Sequence, residues 1–244
     1  MRLDIEMVKR KLASTRSKAH FLIKSKAVKV NRRLELKPSK NINIDDEISL
    51  DLNFNPWVSR GGLKLDNLFK SLSIQKLEGK ALDIGSSTGG FTEVLLHYGV
   101  GKVYSIDVGK NQMNNELRKN KKITLYEGLN AKNISNYDFP KFDIIVCDVS
   151  FISLKKFLQI PLKFSHEKTK LFLLVKPQFE LEKKIKIKNG VIKDVEIHKK
   201  ICNDLEDFLK ILGWIVFKLE KSYIKGEDGN QEFFFYCRKN YSEF

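Results

Sequence analysis

The stretch Ala81-Leu-Asp-Ile-Gly-Ser-Ser-Thr-Gly-Gly-Phe-Thr92 constrains the fold of this 244-residue chain more than any other. An apolar run stops at a glycine, and a glycine pair then opens a segment with helical spacing. A buried strand must therefore turn tightly into a helix here. The alternation continues from Lys80 onward. Strands are expected at 80–84, 102–107, 123–126, 143–148, 170–176, 214–220 and 233–238, and Ile201, Leu205, Leu209 and Leu212 keep the phase of an intervening helix. Strands and helices in that order predict an α/β fold, a doubly wound and mostly parallel seven-stranded sheet with helices on both faces.

Such sheets gather ligands at the carboxyl ends of their strands. Gly85 lets the backbone approach a ligand, and Gly89-Gly90 keep the turn tight. Asp107 ends the next expected strand, 22 residues after Gly85, a spacing that suits a carboxylate accepting from ribose hydroxyls. The dinucleotide pattern G-x-G-x-x-G is absent, because Ser87 and Thr88 lie between the glycines. Four charged residues fall where the sheet would bring them together. Lys64 precedes the sheet, Asp148 ends the fourth strand, Lys176 ends the fifth and Glu232 stands just before the last. Lys176 follows the apolar run Leu171–Val175 and precedes Pro177. Desolvation at such a place favours a neutral amine, the form a base requires.

The amino-terminal part has a different texture. The formal charge of the chain is +15, and residues 1–40 hold 13 basic and 3 acidic residues, a net of +10. That concentration points to a polyanion as partner. Leu3, Met7 and Val8 predict a helix over 3–13. The Ser14-Thr15 break supplies a cap for a second helix over 15–25, with Ala19, Leu22 and Ile23 inward. Val28 and Val30 predict a strand, Asn31-Arg32-Arg33 a turn, and Ile42, Ile44, Ile48 and Leu50 two more short strands around Asp45-Asp46. A helix pair on a small sheet is a platform for phosphate-binding side chains, here Arg2, Arg16, Lys18, Lys24, Lys26, Lys29 and Arg32, joined by Arg60 further on. Residues 1–56 are thus expected to form a basic α+β module, 57–66 a join broken by Pro56 and Gly61-Gly62 with a helix starting at Leu63, and 67–244 the larger domain.

The segment Thr15–Asn31 resembles the S-four-like RNA-binding domain, although that family usually has glycine where Lys26 and Arg32 stand. The pattern D-x-G-x-x-x-G-G at Asp83–Gly90 resembles the first motif of S-adenosylmethionine-dependent methyltransferases. Lys64, Asp148, Lys176 and Glu232 look like the four catalytic residues of ribose 2′-O-methyltransferases. Over the whole chain, Val58–Leu65, Leu82–Thr92, Asp107–Gln112, Cys147–Leu154, Val175–Glu180 and Gly229–Phe233 resemble the hemolysin A (TlyA) family of ribosomal RNA 2′-O-methyltransferases. Glu127-Gly-Leu-Asn130 departs from that family, which more often has Glu-Arg-x-Asn.

The resemblance implies a Rossmann-like methyltransferase fold and methylation of a cytidine ribose. S-adenosylmethionine would be held by Asp83, Gly85, Ser86, Ser87, Gly89, Gly90, Phe91, Asp107, Val108, Asn130 and Asp148. The implied partner is ribosomal RNA or a ribosomal subunit. Family members act on 23S RNA and some also on 16S. The short carboxyl terminus resembles the members that favour 23S, so the 50S subunit is preferred over the 30S. Two alternatives stay open: a non-catalytic RNA-binding assembly factor, and a pore-forming hemolysin, as the family name suggests.

Other classes are disfavoured. Cys147, Cys202 and Cys237 show no C-x-x-C spacing, which predicts reduced thiols and no zinc site. His20, His97, His166 and His198 share no ligand spacing, so no metal is expected. Ser86 and Ser87 lack the G-x-S-x-G elbow of a hydrolase. Phe54 and Trp57 are candidates to stack on bases or to pack in the join, and Phe233–Tyr236 reads as a buried final strand. Residues 182–188 are lysine-rich and expected to be a surface loop. No apolar run approaches the roughly 18–20 residues of a membrane span. Charges in Met1–Glu6 stand where a signal peptide is apolar, so a cytoplasmic protein with no membrane partner is expected.

Overall fold

The computed structural model describes the chain except for residues 14, 25, 52–54, 182–189 and 240–244. Ser14, Phe54 and the lysine-rich loop at 182–188 lie outside the described residues, as does the side chain of Lys18. Two compact units are formed, Met1–Pro56 and Trp57–Phe244.

In the first unit α1 (Leu3–Lys9) and α2 (Arg16–Lys24) pack beside a sheet of order β2-β1-β3, made by β1 (Val28–Val30), β2 (Arg33–Leu34) and β3 (Ile48–Leu50). All pairs are antiparallel. Leu3, Met7, Ala19, Leu22, Ile23, Val28 and Val30 share one core, as their spacing requires. Ile42 joins that core, but Ile44 is 85% exposed and residues 42–44 form no strand. The reason is local: the Asp46 carboxylate accepts from the Asn43 amide at 2.8 Å and bends the segment into a turn.

Lys26 and Arg32 both adopt left-handed backbone, with φ of 66° and 64°. A side chain in that region costs ~1–2 kcal/mol, whereas glycine adds ~0.5–1 kcal/mol of unfolded-chain entropy. Lys26→Gly and Arg32→Gly should therefore each stabilise the protein by up to ~1 kcal/mol in urea unfolding. A loss of stability in both would remove the strain argument.

The second unit holds a seven-stranded sheet of order β6-β5-β4-β7-β8-β10-β9. The strands are β4 (Lys80–Ile84), β5 (Lys102–Asp107), β6 (Ile123–Glu127), β7 (Phe142–Cys147), β8 (Ser165–Val175), β9 (Trp214–Lys221) and β10 (Phe233–Lys239). All neighbours are parallel except β10, which runs antiparallel between β8 and β9. The period-2 pattern fills both faces, as a covered parallel sheet demands. Leu82, Ile84, Ile145, Cys147, Leu171 and Leu173 point to one core with α7 (Val195–Ile211). Ala81, Ile144, Val146, Phe172, Leu174 and Phe234 point to the other, with α3 (Arg60–Ser71) and α4 (Gly90–His97). Short helices α5 (Asn115–Arg118) and α6 (Pro177–Glu180) complete the unit. Among the described residues no helix is long and apolar enough to cross a membrane.

The join differs from expectation. Helix α3 begins at Arg60, not Leu63, and carries Gly61-Gly62 in its first turn. These glycines permit close approach and do not break structure. A Cβ on Gly62 would sit 2.4 Å from the Trp57 Cβ, and one on Gly90 would sit 2.7 Å from the Gly62 amide nitrogen. The amino-terminal turns of α3 and α4 thus meet backbone to backbone. Trp57 packs on this contact and edge-on against His97, with ring centroids 5.2 Å apart.

Candidate active site

The close contact of α3 with α4 places Lys64 on the inner side of α3, beside the carboxyl ends of the strands. There a cavity of about 620 Å³ opens. Lys64, Asp148, Lys176 and Glu232 all line it. They form two ion pairs. Lys64 Nζ donates to Glu232 Oε2 at 2.5 Å, with only 8% and 2% of the two residues exposed. Lys176 Nζ lies 2.7 Å from Asp148 Oδ1 and donates to Ser150 Oγ at 2.8 Å. Burial raises the Glu232 carboxyl above the ordinary value, against the pull of Lys64 and Lys176, while the Asp148 charge pushes the same way as burial.

A second cavity of about 350 Å³ shares Gly85, Ser87, Asp148, Ser150 and Phe151 with the first. Asp107, Val108 and Asn130 line it, with Leu129, Ile152 and Phe157 as apolar wall. Asp107 Oδ2 accepts from the Ser87 amide at 2.8 Å and Oδ1 from the Gly109 amide at 2.6 Å. These bonds fix the carboxylate and leave lone pairs for hydroxyls. Asn130 is anchored by accepting from the Lys132 amide at 3.0 Å. Gly85, at φ 83°, packs so tightly that a Cβ would meet the Asp148 carbonyl oxygen at 2.3 Å. An apolar wall, a fixed carboxylate and a bare glycine turn fit an adenosine. The adjoining Ser86, Gly90 and Phe91 line the larger cavity, where a polar tail would extend.

Glu127, in the loop that departs from the family pattern, is gripped by both terminal nitrogens of Arg118 at 3.0 and 2.7 Å. That pairing holds its carboxyl at about 2. The charge of Glu127 is thus spent on fixing the loop.

Two expected cofactor residues line neither cavity. Gly89 caps α4 at φ 98°, and a Cβ there would meet Met113 Sδ and Leu117 Cδ1 at 2.5 Å. Asp83 is fully buried beneath the glycine loop. Its Oδ2 accepts from Thr92 Oγ1 at 2.5 Å, and Ser105 Oγ lies 2.8 Å from the same hydroxyl. Burial, seconded by the charges of Asp148 and Asp107, drives the Asp83 carboxyl up to about 7 against the Thr92 bond.

From about pH 4, where an unfolded aspartate ionises, to about pH 7 the folded state keeps a proton that the unfolded state has lost. Stability therefore falls as pH rises through that window, by roughly 2–4 kcal/mol from this residue. Asp83→Asn should remove that part of the fall, so the variant gains on wild type between pH 5 and pH 8 in urea unfolding. An equal fall in both proteins would show that Asp83 is ionised in the native state.

Of the basic residues expected to meet RNA, Arg2 and Arg16 converge on the buried Asp4. Arg2 Nε and Nη2 bond its two oxygens at 3.0 Å, and Arg16 Nε bonds Oδ2 at 2.8 Å. Lys24, Lys26, Arg32 and Arg60 are exposed. Lys29, half-buried, lies 3.5 Å from Asp51. Arg60 donates to the Lys225 carbonyl at 3.1 Å and lines the larger cavity.

Sequence reasoning gave no role to Phe151, Gln178, Phe179 or Asp228, which also line the larger cavity. Phe151 is the most telling, at 90% exposed with φ 66° and its ring centroid 5.1 Å from that of Phe179. Its left-handed backbone holds the ring out at the mouth of the cavity. Its position within Cys147–Leu154 was a signal, but an aromatic residue after a strand ordinarily reads as core.

Comparison with known proteins agrees with this geometry. Residues 57–239 match the model of the FtsJ-like methyltransferases, and residues 1–48 match the S4 domain. The chain is 40% identical to the Campylobacter jejuni 23S rRNA (cytidine-2′-O)-methyltransferase TlyA, across 91% of this chain and 87% of that protein. It is 32% identical to the Mycobacterium tuberculosis 16S/23S rRNA (cytidine-2′-O)-methyltransferase TlyA, across 97% and 89%. A solved structure from Streptococcus thermophilus, described as a hemolysin, superposes with a TM-score of 0.73 at 32% identity, covering 98% of this chain and 88% of that one.

Proposed function

Because the chain belongs to the FtsJ-like methyltransferase family and to the TlyA (hemolysin A) group, we propose that it methylates the 2′-hydroxyl of a cytidine in ribosomal RNA, with 23S RNA in the 50S subunit as the first target and 16S RNA as the second. The observation that carries this reading is the pair of lysine–carboxylate contacts on one cavity wall, next to a cavity shaped for a nucleoside.

Gly85, Ser87, Asp107, Val108 and Asn130 would hold the nucleoside of S-adenosylmethionine, and Ser86, Gly90 and Phe91 its amino-acid end. That cofactor supplies an electrophilic methyl group when bound. The protein has to hold the ribose oxygen in line and remove its proton. The Lys176 amine, after giving up the proton it carries in its ion pair with Asp148, accepts the ribose proton. Asp148 and Ser150 orient the amine and stabilise the ammonium that results. Lys64 and Glu232, locked together in the same cavity, position the ribose. The exposed ring of Phe151 offers a stacking surface for a base at the cavity mouth. The basic first unit, with Arg2, Arg16, Lys24, Lys26, Lys29 and Arg32, docks on RNA phosphates through the S4 domain. A cytoplasmic location follows from that substrate.

The test is methyl transfer from labelled S-adenosylmethionine to 50S subunits, 30S subunits and naked rRNA. Label in 50S RNA at one cytidine whose 3′ linkage resists alkali is the expected result. Cofactor binding with no label in any RNA would instead favour a non-catalytic assembly factor.

A further inference from the structure

The motif Val175–Glu180 ends in a carboxylate for which the reaction has no use. Glu180 closes α6, and its side chain reaches the segment that follows β7. Oε2 accepts from the Ser153 hydroxyl at 2.6 Å, and Oε1 accepts from the Leu154 amide at 2.8 Å. Ser153 Oγ in turn accepts from the Lys155 amide at 3.2 Å. Carboxylate and hydroxyl together cap the 3-10 turn Leu154–Lys156. Leu154 is itself 2% exposed, so this turn is held by the core beneath and by Glu180.

Two chain segments meet here. One, 148–154, carries Asp148, Ser150 and Phe151. The other, 176–180, carries Lys176 and Phe179. Three contacts cross between them: Lys176 to Asp148 and Ser150, the ring pair of Phe151 and Phe179, and Glu180 to Ser153 and Leu154. The first two are made by groups that face the cavity and must exchange partners when RNA enters and a proton moves. The third faces away, lines neither cavity and grips main chain. It can keep the segments in register while the others rearrange.

Resting on the assignment of Lys176 as base, we infer that Glu180 is a positioning residue, fixing the spacing of the two segments so that the Lys176 amine stays between Asp148 and Ser150. Burial raises its carboxyl, and Ser153, the Leu154 amide and the nearby Lys155 and Lys156 charges oppose that rise.

The test uses the full-length protein and two readouts. Glu180→Ala should lower kcat on 50S subunits at least tenfold and leave the dissociation constant of S-adenosylmethionine within about twofold. Glu180→Gln, whose amide can accept from Leu154 and donate to Ser153, should recover most of the rate. Ser153→Ala should lower kcat less than Glu180→Ala, and adding it to Glu180→Ala should cost little more. Independently of RNA, trace acetylation followed by peptide mass spectrometry should show Lys176 reacting at least threefold faster in Glu180→Ala, with Lys64 within twofold of wild type. Unchanged Lys176 reactivity would overturn the inference, even if the melting temperature falls. Wild type without turnover on any rRNA would overturn the function instead, and the acetylation arm would still judge the clamp.

Discussion

Lys176→Ala should lower kcat for RNA methylation by roughly 10²–10⁴-fold, the usual worth of a positioned general base, with cofactor affinity changed no more than a few-fold. The asymmetry follows from the geometry. Lys176 lines the larger cavity and not the smaller one, so its loss leaves the proposed nucleoside wall of Asp107, Val108 and Asn130 intact. Lys176→Arg is the sharper variant. A guanidinium keeps the positive charge beside Asp148 but stays protonated in proteins, so it cannot accept the ribose proton. If the amine acts as base, the arginine variant is as inactive as the alanine one. Activity within tenfold of wild type in Lys176→Arg would mean that the residue serves as a cation and that another group takes the proton. Single-turnover transfer of labelled methyl to 50S subunits, with cofactor binding measured by calorimetry, decides between them.

How far this site was readable in the sequence depended on what each residue packs against. The seven strands fall almost where the apolar runs place them, because a sheet covered on both faces selects uninterrupted runs such as Leu171–Val175 and Phe233–Tyr236. That Lys64, Asp148, Lys176 and Glu232 share one cavity was legible because each sits at a strand end or beside a glycine turn, where chain order maps onto position. The glycine pair at 61–62 misled, since a glycine that breaks a helix and one that lets two helices touch look alike until Trp57 and Gly90 are in place. Asp83 lies inside the motif, but strand alternation turns its side chain inward toward Thr92, which the motif pattern does not reveal. Ile44 was given to a strand that the Asp46 turn forbids. Lys26 and Arg32 went the other way. The similar family's usual glycines at these two places suit the left-handed backbone that both residues adopt. The geometry of Phe151 and the cross-segment grip of Glu180 depend on contacts between loops after different strands, which no local pattern encodes.

Lys64→Met should destabilise the protein by about 3–5 kcal/mol at pH 8, because it strands the Glu232 carboxylate in a site where a buried charge has lost its partner. Glu232 is 2% exposed, and burial already raises its carboxyl against the pull of Lys64. Removing Lys64 lets burial act with less opposition, so the folded pKa moves up further. The unfolded glutamate still ionises in its ordinary range. The folded state of the variant then holds a proton that the unfolded state has released, and stability falls as pH rises from that range through the raised folded value. The loss should be much smaller at pH 4 than at pH 8. Lys64→Met combined with Glu232→Leu replaces the pair by apolar groups of similar volume, and most of the stability should return. Activity should not return with it if, as proposed, the charged pair at the cavity wall positions the ribose. Urea unfolding at both pH values, set beside methyl transfer for the single and double variants, separates the two roles. A double variant that regains stability and remains at least a hundredfold slower than wild type assigns the pair to chemistry. One that regains both would reduce Lys64 and Glu232 to a structural contact and leave Asp148 and Lys176 to do the reaction alone.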